Sequence, residues 1–181
     1  MKNEIIVSGF GGQGVLLAGF LIAQSAMEQG LNTSWFPSYG AEMRGGTANS
    51  TAIVSDTEIG SPVSFNPNAL IALSPQALGK FLPKLAKGAA VISPIKTEAV
   101  GEFVYHYIDV LKIASDIGNI KTANIVAVGA LSAVLKKEAG NGIYIHKESV
   151  FAACKKVFAS KPDLIEINKT AFLAGYNLIK D

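Results

Sequence analysis

Residues 4–15 read Glu4-Ile5-Ile6-Val7-Ser8-Gly9-Phe10-Gly11-Gly12-Gln13-Gly14-Val15. A short apolar run ends in a cluster of glycines, and a helical pattern starts at once. Leu16, Leu17, Phe20, Leu21, Ala23 and Met27 recur at helical spacing as far as Gln29, and Gly30 is a good stop. Strand, glycine turn and helix together make the opening unit of a mostly parallel α/β sheet.

The rest of the chain continues that alternation. Strands are expected at Asn32–Phe36 (ended by Pro37), Thr47–Ser55, Ala69–Leu73, Ala89–Ile92 and Phe103–Ile108, the last near a sheet edge. In Thr47–Ser55, Ala48, Ser50, Ala52 and Val54 fall on one side and Asn49, Thr51, Ile53 and Ser55 on the other. A strand this polar is expected to turn one face to a site or an interface. Ser74-Pro75 is a helix start, with a run to about Lys87. Asp109 caps a helix to about Ile117. Thr122–Lys137 is apolar almost all round and reads as a buried helix, with Gly129 placed for close approach by another backbone. Lys147–Ala159 and Asp163–Ile179 are amphipathic, the second with Asn168 on its apolar face as a core amide or interface contact. The fold class is therefore α/β, with helices on both faces of the sheet, as one domain over residues 1–181. In such sheets ligands bind at the carboxyl ends of the strands, near the switch in strand order.

Gly9-x-Gly11-x-x-Gly14 matches the dinucleotide-binding fingerprint and has the strand and helix that it requires. A helix N-terminus behind such a turn offers N–H groups and a partial positive charge to an anion. An NAD site also wants a carboxylate about 20 positions on, at the end of the second strand. Here that region reads Ser34-Trp35-Phe36-Pro37, so ordinary NAD(P) binding is not expected. No lysine follows the turn, which excludes the phosphate loop of nucleotide hydrolases. Anion binding stays open. A tight strand-to-helix connection explains the glycines but not Gln13.

A second glycine-rich stretch runs Pro37-Ser38-Tyr39-Gly40-Ala41-Glu42-Met43-Arg44-Gly45-Gly46-Thr47. Between Gly30 and Ser55 the only charged residues are Glu42 and Arg44, and Arg44 is the only arginine in the chain. A guanidinium holds a carboxylate or phosphate through two parallel hydrogen bonds, which lysine cannot do. The bland alternative is a solvated surface ion pair.

The chain has 181 residues, 49% of them hydrophobic, and net charge +2. Mean hydropathy is +0.33, which implies strands buried on both faces or a surface covered by a partner subunit. The longest weakly charged stretch, Ser8–Met27, is broken by glycine, glutamine and serine, short of the roughly 18 apolar residues of a membrane span. Met1–Val7 lacks a secretory pattern. The lysines form no stripe interleaved with aromatics, so nucleic-acid binding is not expected. The single cysteine, Cys154, reads as a small buried hydrophobe and excludes an internal disulfide or a cluster held by this chain alone. A cytoplasmic location follows as an expectation. His106 and His146 lie far apart without ligand-like neighbours, so no metal site is expected, and no nucleophile arrangement is visible. No residue stands out as catalytic. Too few titratable groups surround the glycine turns for a complete active site, which suggests a subunit completed by others.

Gly9–Gly14 opening a helix, Pro37–Gly46 and Asn49 together resemble the gamma subunit, or gamma domain, of the 2-oxoacid:ferredoxin oxidoreductases of the 2-oxoglutarate, branched-chain 2-oxoacid and pyruvate types. The resemblance extends through Ile59-Gly60-Ser61-Pro62, Asn66-Pro67, Asn124–Gly129 and Asn168–Gly175. It implies a Rossmann-like unit packed against thiamine-binding subunits. The complex would convert a 2-oxoacid and coenzyme A to acyl-CoA and carbon dioxide, with electrons passed to ferredoxin. Thiamine diphosphate and iron–sulfur clusters would sit on the alpha, beta and ferredoxin-like delta partners. Of the cofactors, only coenzyme A would concern this chain. The implied cofactor-binding residues are Gly9, Gly11, Gly12, Gln13, Gly14, Tyr39, Glu42, Arg44, Gly45, Gly46 and Asn49. Arg44, oriented by Glu42, would act with the N–H groups of Gly11, Gly12 and Gln13 on an anionic group of coenzyme A, or would position an interface carboxylate. Two other readings stay open: the beta subunit of indolepyruvate oxidoreductase, and a stand-alone nucleotide-binding or scaffolding protein.

Overall fold

The computed structural model describes residues 1–39, 47–98, 101–139 and 143–179. Six strands form one sheet in the order β2-β3-β1-β4-β5-β6. In chain order the strands are β1 (Lys2–Phe10), β2 (Asn32–Tyr39), β3 (Thr47–Ser55), β4 (Ala69–Ala72), β5 (Ala90–Ser93) and β6 (Val104–Tyr107). The helices are α1 (Val15–Glu28), α2 (Pro75–Phe81), α3 (Val110–Asp116), α4 (Ala123–Ala139), α5 (Lys147–Val157) and α6 (Asp163–Tyr176). β1, β4, β5 and β6 pair in parallel, while β3 runs antiparallel to both β1 and β2. The expectation of a mostly parallel, Rossmann-like sheet holds, with β3 as the one reversed strand.

That reversed strand accounts for the missing carboxylate. In the dinucleotide fold the second strand neighbours the first. Here β3 stands between them, which moves the end of β2 two strand spacings, roughly 9–10 Å, from the glycine turn. A carboxylate at the end of β2 would no longer sit beside that turn.

The two faces are covered unequally. On one, α1, α4, α5 and α6 pack a large core around Ile5, Val7, Leu21, Val54, Ile71 and Phe172. On the other, α2 covers Ile6, Leu70, Ala72 and Val91, and this smaller core contains no residue of β2 or β3. β3 shows the division directly. Ala48, Ser50, Ala52 and Val54 are buried on the α1 side, while Asn49 and Thr51 stay half-exposed on the other.

At two prolines the boundaries differ from expectation. β2 runs through Pro37 to Tyr39, because at the sheet edge a residue without an N–H can leave its donor side unpaired. α2 stops at Phe81 and tightens into a 3₁₀ turn over Leu82–Lys84, because Pro83 supplies no N–H and its ring clashes with the preceding turn. The start of α2 is as expected: Ser74 Oγ accepts the Ala77 N–H at 3.2 Å. Asp109 likewise caps α3 by accepting the Lys112 N–H at 3.0 Å. α6 ends at Tyr176, short of Ile179.

α4 and α6 cross at two glycines. A Cβ on Gly129 would overlap the Phe172 carbonyl oxygen and stand 2.9 Å from the Tyr176 nitrogen. A Cβ on Gly175 would overlap the Val126 carbonyl oxygen and stand 3.0 Å from the Ala130 nitrogen. Gly129 is thus placed for backbone approach, as its sequence context suggested. Asn168 is buried on α6, where its Nδ2 donates to the Leu164 carbonyl at 2.7 Å. Among the described residues no helix is long and apolar enough to cross a membrane.

Candidate functional site

α1 leaves β1 toward one face and α2 leaves β4 toward the other, so the strand order switches direction between β1 and β4. Such a switch opens a crevice at the carboxyl ends of the two strands. The turn Gly11–Gly14 forms one wall of it. Gly12 and Gly14 hold φ of +93° and +69°, which L side chains rarely adopt.

Gln13 has a structural task that its sequence context did not reveal. Its Oε1 accepts the Phe10 N–H at 2.6 Å, and its Nε2 donates to the Leu73 carbonyl at 3.1 Å. The side chain thereby ties the glycine turn to the end of β4 across the crevice. Gly9 makes room for it, since a Cβ there would overlap Gln13 Oε1 and approach Leu73 Cβ to 3.1 Å. The backbone N–H of Gln13 donates to the Phe10 carbonyl at 3.2 Å, so it is committed within the turn. Gln13→Ala should cost about 1–3 kcal/mol in urea unfolding, because two backbone groups lose their partner. A cost below about 0.5 kcal/mol would show that the tie is not needed.

At Gly14 a second tie forms. Asn124, at the start of α4 and 1% exposed, donates its Nδ2 to the Gly14 carbonyl at 2.8 Å. α1 begins at Gly14 with no side-chain cap and no acidic residue in its first turn. Among the described residues its first N–H groups and positive dipole end therefore meet no carboxylate from its own cap or first turn.

The crevice itself is a cavity of about 220 Å³. Gly12 and Gln13 line one side, Leu73 and Pro94 the strand ends, and Val110, Leu111, Ile120 and Ala123 the apolar remainder. Lys121 is its only charged lining residue, and its ammonium has no carboxylate partner among the described residues. Among the described residues no histidine, cysteine or carboxylate lines it. It can hold an anion with an apolar arm; among the described residues, Lys121 is the one lining group that could take part in acid–base chemistry.

The remaining candidate residues are not gathered there. Asn49 lies in a separate trough on the outer face of β2 and β3, with Phe36, Ser38 and Thr51. Tyr39 ends β2. Glu42, Arg44, Gly45 and Gly46 lie outside the described residues, so the structure assigns them no contact. Lys121 was missed in the sequence. Its only signal was a lysine between Asn119 and the apolar helix, and the cleft joins it to Gly12 across more than a hundred residues of chain.

Elsewhere, Cys154 is fully buried, and burial pushes its thiol up to about 11, which makes it unreactive. Burial holds His106 below the usual histidine value, on β6 beside Val134. Among the described residues no three histidine, cysteine or carboxylate side chains come together as a metal site would need.

Residues 4–178 match the family model described as pyruvate ferredoxin/flavodoxin oxidoreductase. Ketoisovalerate oxidoreductase subunit VorA of Methanothermobacter thermautotrophicus is 34% identical over 175 residues, which are 95% of this chain and 35% of that protein. The chain thus spans about a third of that relative's length. The keto/oxoacid ferredoxin oxidoreductase gamma subunit of Geobacter sulfurreducens superposes with a TM-score of 0.78 at 30% identity, covering 97% of this chain and 96% of that one. The 2-oxoglutarate:ferredoxin oxidoreductase of Magnetococcus marinus shares the fold, with a TM-score of 0.85 at 21% identity over 99% of this chain and 32% of that chain. With a family model matched almost end to end and a full-length gamma subunit alike in sequence and fold, this chain belongs to the pyruvate ferredoxin/flavodoxin oxidoreductase family, as a gamma-type member.

Proposed function

We propose that this chain is the non-catalytic gamma-type subunit of a multi-subunit enzyme that oxidatively decarboxylates a 2-oxoacid to acyl-CoA, with electrons passed to ferredoxin. The observation that carries this is the chemistry of the crevice. An uncapped helix start and the lone Lys121 ammonium suit a phosphate, and its apolar walls suit a slender aliphatic arm. Coenzyme A combines both features. Among the described residues the crevice walls carry a lysine but no histidine, cysteine or carboxylate, which fits a chain that holds the acyl acceptor while other subunits do the chemistry.

Thiamine diphosphate and iron–sulfur clusters belong, on this reading, to the thiamine-binding and ferredoxin-like partners, where they supply the decarboxylation and the electron path. This chain binds and orients. Gln13 keeps the turn and the end of β4 in register, Asn124 fixes the α1 start, and Lys121 neutralises an anionic group of the coenzyme. Arg44, with Glu42 to orient it, adds a second cation from the segment between β2 and β3. Gly11 and Gly12 allow close approach to the turn, and Tyr39, Gly45, Gly46 and Asn49 complete the proposed set of binding residues. The Magnetococcus enzyme was solved with 2-oxoglutarate, coenzyme A and succinyl-CoA bound. For this chain we propose 2-oxoglutarate or a branched-chain 2-oxoacid ahead of pyruvate, and a cytoplasmic location.

The test is kinetic. In the assembled complex, Lys121→Ala and Arg44→Ala should each raise KM for coenzyme A about tenfold or more, with kcat changed less than about twofold. An unchanged KM in both variants would remove the coenzyme role.

A further inference from the structure

The outer face of β2 and β3 carries a trough of about 520 Å³ that is separate from the crevice and shares no lining residue with it. Its floor is polar: Ser38, Asn49 and Thr51 line it, and among the described residues no hydrogen bond engages their side chains. Its walls are apolar and open. Phe36 is 49% exposed, Val63 51% and Phe65 79%. Side chains of this size are seldom left in water together without a covering partner.

Phe65 is held out by a buried anchor. The Glu4 carboxylate, on β1, accepts the Ser64 hydroxyl at 2.6 Å and the N–H groups of Phe65 and Asn66 at 2.9 and 3.0 Å. The loop backbone is thereby fixed while its aromatic ring faces solvent. An exposed ring on a pre-ordered loop loses little freedom when it is covered, which favours binding. Lys84 also lines the trough and shares the Phe81 ring with Lys80, at 5.7 and 5.1 Å. Neither lysine has a carboxylate partner among the described residues. The Glu4 carboxylate on β1 is buried and already paired with Lys2.

We infer that this trough is the surface on which an acidic segment of a partner subunit docks. An aliphatic or aromatic side chain of that segment seats between Phe36 and Phe65, and its carboxylate meets Lys80 and Lys84. The charge pattern selects the occupant: two unpaired ammoniums beside an aromatic wall and hydrogen-bonding floor complement an acidic, apolar-anchored protein segment. The inference rests on the reading of the chain as one subunit of a larger enzyme.

The experiment uses the whole complex, assembled with wild-type chain, with Phe65→Ser, and with the double variant Lys80→Glu/Lys84→Glu. Each isolated variant should melt within about 2 °C of wild type, since all three side chains are on the surface. In size-exclusion chromatography at the same protein concentration, the share of each variant that co-elutes with the partner subunits should fall about tenfold or more. Full co-elution of both variants overturns the docking surface and leaves the subunit reading standing. A wild-type chain that elutes alone overturns the subunit reading, and the docking surface with it. Slowed hydrogen exchange at 61–67 on adding coenzyme A alone, without partners, would assign the trough to a small molecule and overturn it as well.

Discussion

Gly129→Ala is expected to lower the melting temperature by about 6–12 °C. The new Cβ would overlap a carbonyl oxygen of α6, and its next neighbours are also backbone atoms. Backbone cannot rotate away as a side chain can, so the helices must separate and the Phe172 packing beneath them must open. That costs about 3 kcal/mol, even after the gain of about 1 kcal/mol in helix propensity. Gly175→Ala should behave alike from the other side of the same crossing, against Val126. The two together should cost clearly less than their sum, because the first separation makes room for the second methyl. Gly79→Ala is the opposite case. It lies in α2 with nothing within 4 Å of the added Cβ, so it should stabilise by up to about 1 kcal/mol. Thermal unfolding of the four variants checks the set. A Gly129→Ala protein as stable as wild type would mean that the helices do not cross at these glycines.

The second large effect concerns Glu4, and it depends on pH. Burial alone would raise this carboxyl. Hydrogen bonds from Lys2, Ser64 and the Asn66 N–H, with the Lys2 charge, outweigh burial and bring it from 4.5 down to about 2. A carboxyl depressed on folding stabilises the native state above its unfolded value. That stability is lost as pH falls from about 4.5 through about 2. The shift corresponds to something on the order of 3 kcal/mol near neutrality. Glu4→Ala leaves the N–H groups of Phe65 and Asn66, the Ser64 hydroxyl and the Lys2 ammonium without their acceptor, and should cost about 3 kcal/mol or more at pH 7. Glu4→Gln should be milder and should flatten the loss of stability between pH 5 and pH 3. Urea unfolding at both pH values separates the cases. Equal pH dependence in wild type and Glu4→Gln would show that this carboxyl does not carry it.

Which features were legible in the sequence follows from how locally each is determined. β1, the glycine turn and α1 are contiguous, and their spacing alone predicted them. Gly129 stood out because a glycine inside an apolar helix needs a reason. The reversal of β3 was not legible. Its alternation identifies a strand but carries no direction, which is set by pairing with β1 and β2. Pro37 and Pro83 were visible. Their effects depended on context: a sheet edge tolerated the first, and a helix interior did not tolerate the second. Asn49 was grouped with the glycine turns by motif, yet the pleat turns it to the outer face. Glu4 stood in an apolar run, and a carboxylate there was itself a signal of a buried partner. Its partners Ser64 to Asn66 lie some sixty residues away and could not be identified without the fold.

The most direct test of the central claim is reconstitution. The thiamine-binding and ferredoxin-like partner subunits are assayed anaerobically for viologen reduction with a 2-oxoacid and coenzyme A, first without this chain and then with it restored. Our reading predicts weak reduction with no saturable response to coenzyme A in its absence, and coenzyme-dependent turnover when the chain returns. Partner subunits that turn over at the same rate, with the same KM for coenzyme A, whether or not this chain is present would contradict it.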